Sequence, residues 1–497
     1  MSLRLLDNGL IFDGLGDAPY TGSVLMVDGR IAAAGPHILA PAAERVDCKG
    51  LAIAPGFVDL HSHSDLQVLE DREEKSNQGV TRELVGNCGF SPYPCGAAEP
   101  YRAFAEGILA PSDPAGFASA ADYLEAARQR STRIAVHSLA GHGTLRTALF
   151  AGRQDALSAV EMDRMAGALD DSLAGGAAGF STGLMYAPGS AAPFEELLRL
   201  CTVTARRGAL YTTHMRSYSN GLVESVEEQI ELARRAGCRL QISHLQAVGQ
   251  KNWDKQRIAL DRIEEARVEG VDVEFDIYPY QAGSTVLTQL LPQWSLEGGR
   301  STMLARLRDG GERASIAREA EQMLAQRWCD VFVQGRHLED HGRARGVEPV
   351  QAAIDLILEH EGAVTMISFN QSEENLRQLL THPLCNVISD GFYVDGEPHP
   401  RLYGTFPFLL GGIVRERRWM RLEEAIHKIT AQPAARLGLA NGGTIRPGAT
   451  ADVTVFDPAT VAGPATYDQP RVGPRGIVAV YRGGEPVMGA AAPLPRL

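Results

Sequence analysis

Histidine and aspartate residues recur along this chain at positions where they could bind a metal ion. His61 and His63 stand at i and i+2 in "GFVDLHSHSDL", so on a strand their side chains would face the same way. A bare pair of this kind is more often a structural feature than a metal site. His214, His244 and Asp390, however, each end a similar apolar run. Five such residues in equivalent places favour one shared site, and imidazole with carboxylate suits zinc or a similar metal.

Cys88, in "VGNCGFSP", also follows an apolar run of strand type. Read alone, a cysteine in this place is more often an inert buried thiol. Beside the histidines its thiolate becomes a suitable anionic ligand for zinc. We therefore predict that Cys88 binds the metal, whereas the other six of the seven cysteines are better explained as buried thiols.

The elements that would position these residues alternate between apolar strands and amphipathic helices, the pattern of a parallel sheet. Eight strand segments are predicted, and they span residues 56–61, 80–85, 133–138, 177–182, 209–214, 239–244, 271–278 and 386–390. Eight such strands would close a TIM-like (β/α)8 barrel, whose sites lie at the carboxyl ends of the strands. Two further apolar runs, "DVFVQG" and "VTMISF", leave the strand count open.

The predicted α/β chain has three parts. Short strands with Asp-Gly and Asn-Gly turns occupy residues 1–55, and similar strands occupy 436–497. We expect both ends to form one small β-sandwich domain around the (β/α)8 barrel, which would span 56–435. A segment with helical pattern at about 285–350 interrupts the barrel, and we interpret it as an inserted lid.

Composition limits the class of partner. The 497 residues carry a net charge of −13, which argues against a nucleic-acid partner. The beginning of the sequence lacks a signal-peptide pattern, and apolar runs fall short of the ~20 residues that span a bilayer. We expect a cytoplasmic protein with a small-molecule substrate and no membrane partner. The sequence does not indicate an oligomeric state.

With these residues identified, the chain resembles the D-aminoacylase (N-acyl-D-amino-acid deacylase) family of the amidohydrolase superfamily. The similarity covers about residues 50–410 and includes "PGFVDLHSHSD", "GHGTLR", "GFSTGLMYAPG", "THMRSY", "ISHLQAVG" and "RLYGTFP". The segments "VGNCGFSP" and "YPYQAGST" separate this family from related hydrolases. The resemblance implies zinc-dependent hydrolysis of an N-acyl-D-amino acid to a D-amino acid and a carboxylate.

The resemblance also implies a role for each metal-binding candidate. It assigns one tight zinc to Cys88, His214 and His244. It assigns a second, weaker zinc to His61, His63 and Asp390.

The remaining site residues are assigned to the substrate. Asp390 would act as general base and then general acid, and Tyr278 would assist at the substrate carbonyl. Ser284 and Arg401 would bind the α-carboxylate, for which the planar guanidinium is well suited. Without the resemblance, Tyr278 could equally be a core aromatic, and Arg401 would be a surface residue.

Gln246 departs from the family pattern. The family has Ser-His-x-Lys, whereas this chain has "SHLQ", so Gln246 replaces a lysine beside the substrate carboxylate. A charge-assisted hydrogen bond of this kind contributes roughly 1.5–3 kcal/mol. Either Arg401 holds the acid alone, or the substrate lacks a free carboxylate. Lys251 would compensate only if it pointed inward.

Three readings of the function remain open. A linear deacylase is favoured, and a cyclic amidase of the hydantoinase or dihydroorotase type is the alternative. A silent scaffold barrel is disfavoured because all six ligand positions are filled. The D preference rests on the resemblance. An apolar substrate side chain is favoured over an acidic one. Its pocket would be lined by Met185, Tyr186, Leu290, Leu291 and Trp294.

Overall fold

A computed structural model describes residues 2–95, 98–105, 108–109, 116–394 and 396–489. At its centre lies a parallel sheet of eight strands, which we number as barrel strands in chain order. They are Phe57–Asp59, Val80–Val85, Ala135–Gly141, Gly179–Gly183, Leu210–His214, Arg239–Ile242, Val273–Ile277 and Cys385–Val387. Each pairs in parallel with the next. The predicted (β/α)8 barrel is therefore confirmed, with all eight predicted segments in it.

The barrel closes between its first and eighth strands through the residues that follow them. Ser62–His63 pairs in parallel with Gly391–Phe392. The backbone N–H of Asp390 also donates to the carbonyl oxygen of His61 over 2.9 Å. Closure thus holds the two predicted ligand-bearing segments side by side.

Helices cover the barrel because their apolar residues recur on one face. In Leu222–Ala236, for example, Val226, Ile230 and Ala233 are buried. The helices around the barrel are Ala98–Ala105, Ala120–Arg130, His142–Phe150, Ala159–Ala174, Phe194–Arg206, Leu222–Ala236, Lys255–Val268, Glu373–Thr381, Arg401–Phe408, Leu422–Lys428 and Ala431–Arg436. A π-helix, Leu409–Glu416, continues the helix that begins at Arg401.

Both ends of the chain contribute to one additional sheet. Its eight strands are Leu3–Ile11, Tyr20–Val27, Arg30–Gly35, Glu44–Asp47, Ala52–Pro55, Val453–Phe456, Ile477–Arg482 and Glu485–Met488. The two ends meet where Ala52–Pro55 pairs antiparallel with Val453–Phe456. On the edge strand Arg30–Gly35, the backbone N–H of Ile31 donates to the carbonyl oxygen of Ala449, which comes shortly before Val453–Phe456. Both residues belong to the same buried core, so the two ends of the sheet pack on one hydrophobic cluster. Residues 490–497 of the predicted C-terminal part lie outside the described residues.

The insertion between the seventh and eighth barrel strands has its own hydrophobic core. It contains the helices Gln293–Leu296, Gly299–Arg308, Gly310–Met323, Leu338–Arg345 and Pro349–Glu359. It also contains a four-stranded sheet formed by Ala282–Val286, Val331–Val333, Arg336–His337 and Thr365–Phe369. The runs "DVFVQG" and "VTMISF" belong to this sheet, which explains why they confused the strand count. The purely helical pattern expected here was incomplete, because strands of two to five residues carry little periodic signal.

Within the described ranges, no helix has both the length and the apolar character needed to cross a membrane.

Candidate metal centre and adjoining cavity

The six predicted metal-binding residues meet at the carboxyl-terminal mouth of the barrel. His214 is the last residue of the fifth strand. The other five follow the first, second, sixth and eighth strands within a few residues. All six are buried, and they are His61, His63, Cys88, His214, His244 and Asp390. The location agrees with the rule that barrel sites form at this face.

Cys88 lies between two of the histidines. Its Sγ is 3.4 Å from Nε2 of His61 and 3.6 Å from Nε2 of His244. These three residues can direct one ligand atom each into a space less than 4.8 Å across. A thiolate with two imidazoles is a donor set that fits zinc.

A second group of possible ligands shares His61 with the first. Nε2 of His61 and Nε2 of His63 each lie 3.4 Å from Oδ1 of Asp390. These three also converge within 4.8 Å. The arrangement differs from the expected division of ligands, because His61 belongs to both groups and His214 to neither. Spacing at i and i+2 predicts a common direction for His61 and His63, but not which ring lies nearer the thiol.

His214 nevertheless lies beside the first group. Its ring centroid is 4.6 Å from that of His244. Burial lowers the pKa of His214 to about 4, so the ring is neutral and has a lone pair to offer a metal. Neither ring nitrogen makes a regular hydrogen bond among the described residues, although the thiol of Cys88 lies near enough to affect the ring. A buried imidazole without partners is costly, and a bound metal ion would satisfy it.

The charge distribution keeps the thiol and the carboxylate anionic. Burial alone would raise the pKa of Cys88, but the charge of His61 and a contact with His214 lower it well below its usual range. Burial likewise opposes ionisation of Asp390, but the nearby Arg401 and His61 hold its pKa well below normal. Both groups are therefore in the form that binds metal.

The backbone at three of these residues is strained. Cys88, His244 and Asp390 have positive φ angles of 54°, 36° and 48°. Non-glycine residues in this region each cost on the order of 1–3 kcal/mol, and such strain clusters at functional sites. Gly86, two residues before Cys88, has a φ of 80°, and a Cβ there would lie 2.3 Å from the carbonyl oxygen of Leu139. The sharp turn after the second strand therefore requires glycine at position 86, and this turn directs the thiol of Cys88 into the barrel mouth.

Asp276 is a site residue that the sequence analysis missed. Its Oδ1 accepts the backbone N–H of His244 over 2.7 Å and lies 3.5 Å from Nδ1 of His61. Gln241 donates to the other carboxylate oxygen over 2.9 Å. Carboxylates behind a ligating histidine fix its ring orientation and tautomer. The signal was present as an acidic residue inside an apolar strand, two positions before Tyr278.

Lys75 is a second residue that was missed. Its buried ammonium donates to Ser62 Oγ over 3.1 Å, to Ser389 Oγ over 2.5 Å, and to Asp59. Ser62 lies between two candidate ligands, and Ser389 precedes Asp390. Lys75 therefore links Asp59 on the first strand with Ser389, which follows the eighth strand and precedes Asp390.

A cavity opens from the metal centre toward the insertion. The predicted substrate residues Gln246, Tyr278, Ser284 and Arg401 all line it. Part of its wall comes from the insertion, including Leu290, Met323, Leu324, Gln326, Met366 and Asn370. The insertion therefore contributes directly to whatever binds beside the metal centre.

Arg401 connects the metal centre with this cavity. Its Nη1 lies 2.9 Å from Oδ2 of Asp390, and its Nη2 donates to the backbone oxygen of Ser284 over 3.3 Å. The guanidinium also lies over the ring of Tyr278 at 4.6 Å. Although the sequence alone suggested a surface arginine, Arg401 is only 1% exposed.

Gln246 occupies the position of the family lysine and faces the cavity. Its Oε1 accepts the hydroxyl of Tyr278 over 3.3 Å. Lys251 does not replace the missing charge, because it is exposed and donates to the backbone oxygen of Leu324. Of the five apolar candidates, Met185, Tyr186 and Leu290 line the cavity. Leu291 and Trp294 instead pack into the core of the insertion.

Known proteins share both the sequence and this architecture. An N-acyl-D-glutamate deacylase of Alcaligenes xylosoxydans xylosoxydans is 37% identical over 99% of this chain and 95% of that protein. A D-aminoacylase of the same organism is 36% identical over 97% of this chain and 94% of that protein.

Solved structures give the same result. N-acyl-D-glutamate deacylase from Bordetella bronchiseptica, complexed with zinc and a phosphonate mimic of the tetrahedral intermediate, matches with a TM-score of 0.86 and 35% identity over 100% of this chain and 99% of that one. A D-aminoacylase studied for its binuclear metal centre matches with a TM-score of 0.84 and 32% identity, over 98% of this chain and 97% of that one. Residues 44–488 match the model of the amidohydrolase family. The chain therefore belongs to the amidohydrolase family.

Proposed function

We propose that this chain is a zinc-dependent deacylase that hydrolyses an N-acyl-D-amino acid to a D-amino acid and a carboxylate. One observation carries the proposal: a buried Cys88–His61–His244 group and a His61–His63–Asp390 group open onto a cavity that also holds Arg401. The relatives named as deacylases match nearly the whole chain. One similar structure contains zinc, and a similar D-aminoacylase has a binuclear metal centre, which supports one zinc with a second possible.

The ligand assignment is part of this proposal. We assign Cys88, His214 and His244 to the tight zinc, and His61, His63 and Asp390 to a second site. The thiolate and the unpartnered, neutral ring of His214 support the first assignment. His61 lies close enough to Cys88 to contribute to either site.

An amide is a poor electrophile, so its hydrolysis needs an activated water and stabilisation of the oxyanion. A bound zinc ion would supply both, because it lowers the pKa of water toward ~7 and polarises a carbonyl. Asp390, held ionised by its neighbours, accepts the proton of the attacking water. The same carboxyl group then delivers that proton to the leaving nitrogen as the C–N bond breaks.

The cavity residues bind and orient the substrate. Tyr278 donates its hydroxyl hydrogen, now bonded to Gln246, to the oxyanion that develops on the carbonyl oxygen. Arg401 receives the substrate carboxylate beside Ser284, because two guanidinium N–H groups can bind one carboxylate. Its contact with Asp390 places the substrate acid close to the group that moves the proton.

The substrate side chain is proposed to be neutral and apolar. Met185, Leu290 and Met366 line the cavity, and Arg401 is the only arginine or lysine among the described lining residues. An acidic side chain would need a second cation to offset its desolvation. The names of the relatives do not decide this point, since the glutamate deacylase and the D-aminoacylase are almost equally similar.

The alternative of a cyclic amidase is not favoured, because relatives that match nearly the whole chain are named as a D-aminoacylase and as N-acyl-D-glutamate and N-acyl-D-aspartate deacylases. We also propose a cytoplasmic location. It is supported by the cysteines, since no disulfide joins those in the described part of the chain.

The test is hydrolysis of the D and L forms of N-acetyl-leucine by purified, zinc-loaded protein. Release of D-leucine alone supports the proposal. Full zinc content without activity on any N-acyl-D-amino acid contradicts the substrate while leaving the metal centre in place.

A further inference from the structure

Asn370 follows the strand Thr365–Phe369 of the insertion and lines the cavity with Arg401 and Ser284. It is 6% exposed. Its side-chain nitrogen lies 3.6 Å from the position that a Cβ on Gly283 would take. The carboxamide therefore reaches the short segment beside Ser284, whose backbone oxygen already contacts Arg401.

Three hydrogen bonds fix the backbone of Asn370. Its carbonyl oxygen accepts from Gly249 over 3.0 Å and from the indole of Trp253 over 3.1 Å. Its N–H donates to the carbonyl oxygen of Gln281 over 3.3 Å. The side chain thus projects from a fixed point, which is what a residue that recognises a ligand requires.

The side-chain carboxamide of Asn370 has unused hydrogen-bonding capacity. Its Oδ1 is buried and has no hydrogen-bond partner among the described residues. Its Nδ2 is the end that lies toward Gly283 in the cavity wall, so it is the amide nitrogen that can donate to a bound ligand. Burying an unsatisfied acceptor is unfavourable, so a leucine of similar size would pack better here unless the carboxamide has a function.

A donor at this point is what the cavity lacks. Gln246 stands where the related enzymes have a lysine, and one nitrogen of Arg401 is already engaged by Asp390. A substrate carboxylate has two oxygens, each of which accepts more than one hydrogen bond. Arg401 alone leaves part of that capacity unfilled.

We propose that Asn370 is a specificity-determining residue whose side-chain N–H donates to the substrate carboxylate beside Arg401. This rests on the proposed deacylase function and deepens it. The acid end of the substrate is then recognised by one cation and one neutral amide. Substrates with a free carboxylate are selected over their neutral amides by this pair.

The experiment compares N-acetyl-D-leucine with N-acetyl-D-leucinamide on the zinc-loaded protein. Asn370→Asp replaces the donor with an anion of the same shape, and Asn370→Ala removes the donor without adding charge. For the acid, KM should rise at least about tenfold in Asn370→Asp and several-fold in Asn370→Ala, with kcat changing less. For the amide, KM should stay within about threefold of the wild type in both variants.

Asn375→Asp is the matched control. Asn375 is also buried nearby, but its Nδ2 donates to the backbone oxygen of Trp253 rather than to the cavity. This variant should shift KM equally little for both substrates. If Asn370→Asp and Asn370→Ala weaken acid and amide equally, the role of Asn370 is overturned while the deacylase function stands. If the wild type hydrolyses no N-acyl-D-amino acid, both proposals fall.

Discussion

The ammonium of Lys75 lies 2.5 Å from the hydroxyl oxygen of Ser389, across the line where the barrel closes. The same ammonium bonds Asp59 on the first strand and lies 3.8 Å from Glu83 on the second. A buried cation thus joins carboxylates of the first and second strands to Ser389, the residue that precedes Asp390. Through Ser62 and Ser389, Lys75 therefore connects the two chain segments that carry His61, His63 and Asp390.

Lys75→Met should destabilise the fold strongly. It leaves buried carboxylates of Asp59 and Glu83 without their cation, and breaking a buried pair typically costs about 3–5 kcal/mol. Chemical denaturation of the two proteins measures the difference. Ser389→Ala removes the hydrogen bonds of this hydroxyl with Lys75, Asp59 and the backbone N–H of Gly391, but it leaves the cation in place. It should therefore destabilise the fold less than Lys75→Met does, by about 1–3 kcal/mol. Equal stability of Lys75→Met and the wild type would show that the buried charges are not coupled.

Cys88→Ala should lose bound zinc and hydrolytic activity together. The variant removes the only thiolate at the centre, and the anionic ligand is what balances the charge of the ion. Zinc per chain, measured by elemental analysis after dialysis, provides the readout.

The control for this variant is Cys48→Ala. Cys48 is fully buried in the terminal sheet, and burial raises the pKa of its thiol to about 12, so it should not bind metal. Cys48→Ala should keep zinc and activity. If Cys88→Ala retained zinc, Cys88 would be an inert buried thiol and not a metal ligand.

Gln246→Lys should tighten the binding of free acids. The new ammonium faces the cavity and adds a charge-assisted hydrogen bond worth roughly 1.5–3 kcal/mol, which lowers KM by about tenfold or more. Steady-state kinetics on an N-acyl-D-amino acid and its amide measure the effect, and KM for the amide should not fall. An unchanged KM for the acid would mean that position 246 does not contact the substrate carboxylate.

Acid should weaken the fold through Glu196. Burial by itself would raise the pKa of Glu196, but hydrogen bonds from Arg146 and His142 lower it from its usual 4.5 to about 2. Because the folded pKa is depressed, its stabilisation is fully present above pH 4.5 and disappears as the pH falls toward 2.

Glu196→Gln isolates this contribution. It cannot ionise, so its unfolding free energy should fall less steeply than that of the wild type between pH 4.5 and 2. Urea denaturation at a series of pH values gives both slopes. Parallel curves for the two proteins would rule out Glu196 as a source of the acid sensitivity.

Strand periodicity and strand-end residues were enough to predict the barrel and the neighbourhood of its metal centre. His214, His244 and Asp390 were identifiable because each ends an apolar run in the sequence, and a closed barrel brings the carboxyl ends of its strands together. The sequence could not show that His61 stands between Cys88 and Asp390. How far the side chains of Cys88 and Asp390 reach into the barrel mouth depends on their positive φ angles. These angles arise only when the loops pack.

Lys75 and Asn370 were not predicted, because the sequence around each resembles an ordinary turn or strand end. Lys75 lies in "DREEKSNQG", which has the composition of an exposed turn, yet the closed barrel buries it. Asn370 follows a short strand of the insertion, and nothing in "SFNQS" indicates that it faces the cavity. Both positions are set by contacts between segments far apart in the chain, which local pattern does not encode.

The most direct test of the account is a kcat/KM comparison of zinc-loaded protein on N-acetyl-D-leucine, N-acetyl-L-leucine and N-acetyl-D-glutamate, with zinc content measured on the same sample. We expect at least one zinc per chain and a kcat/KM for the D-leucine substrate well above that for both others. Preference for the D-glutamate substrate would contradict the apolar side-chain assignment. A zinc-loaded protein that cleaves none of the D substrates would contradict the deacylase function itself.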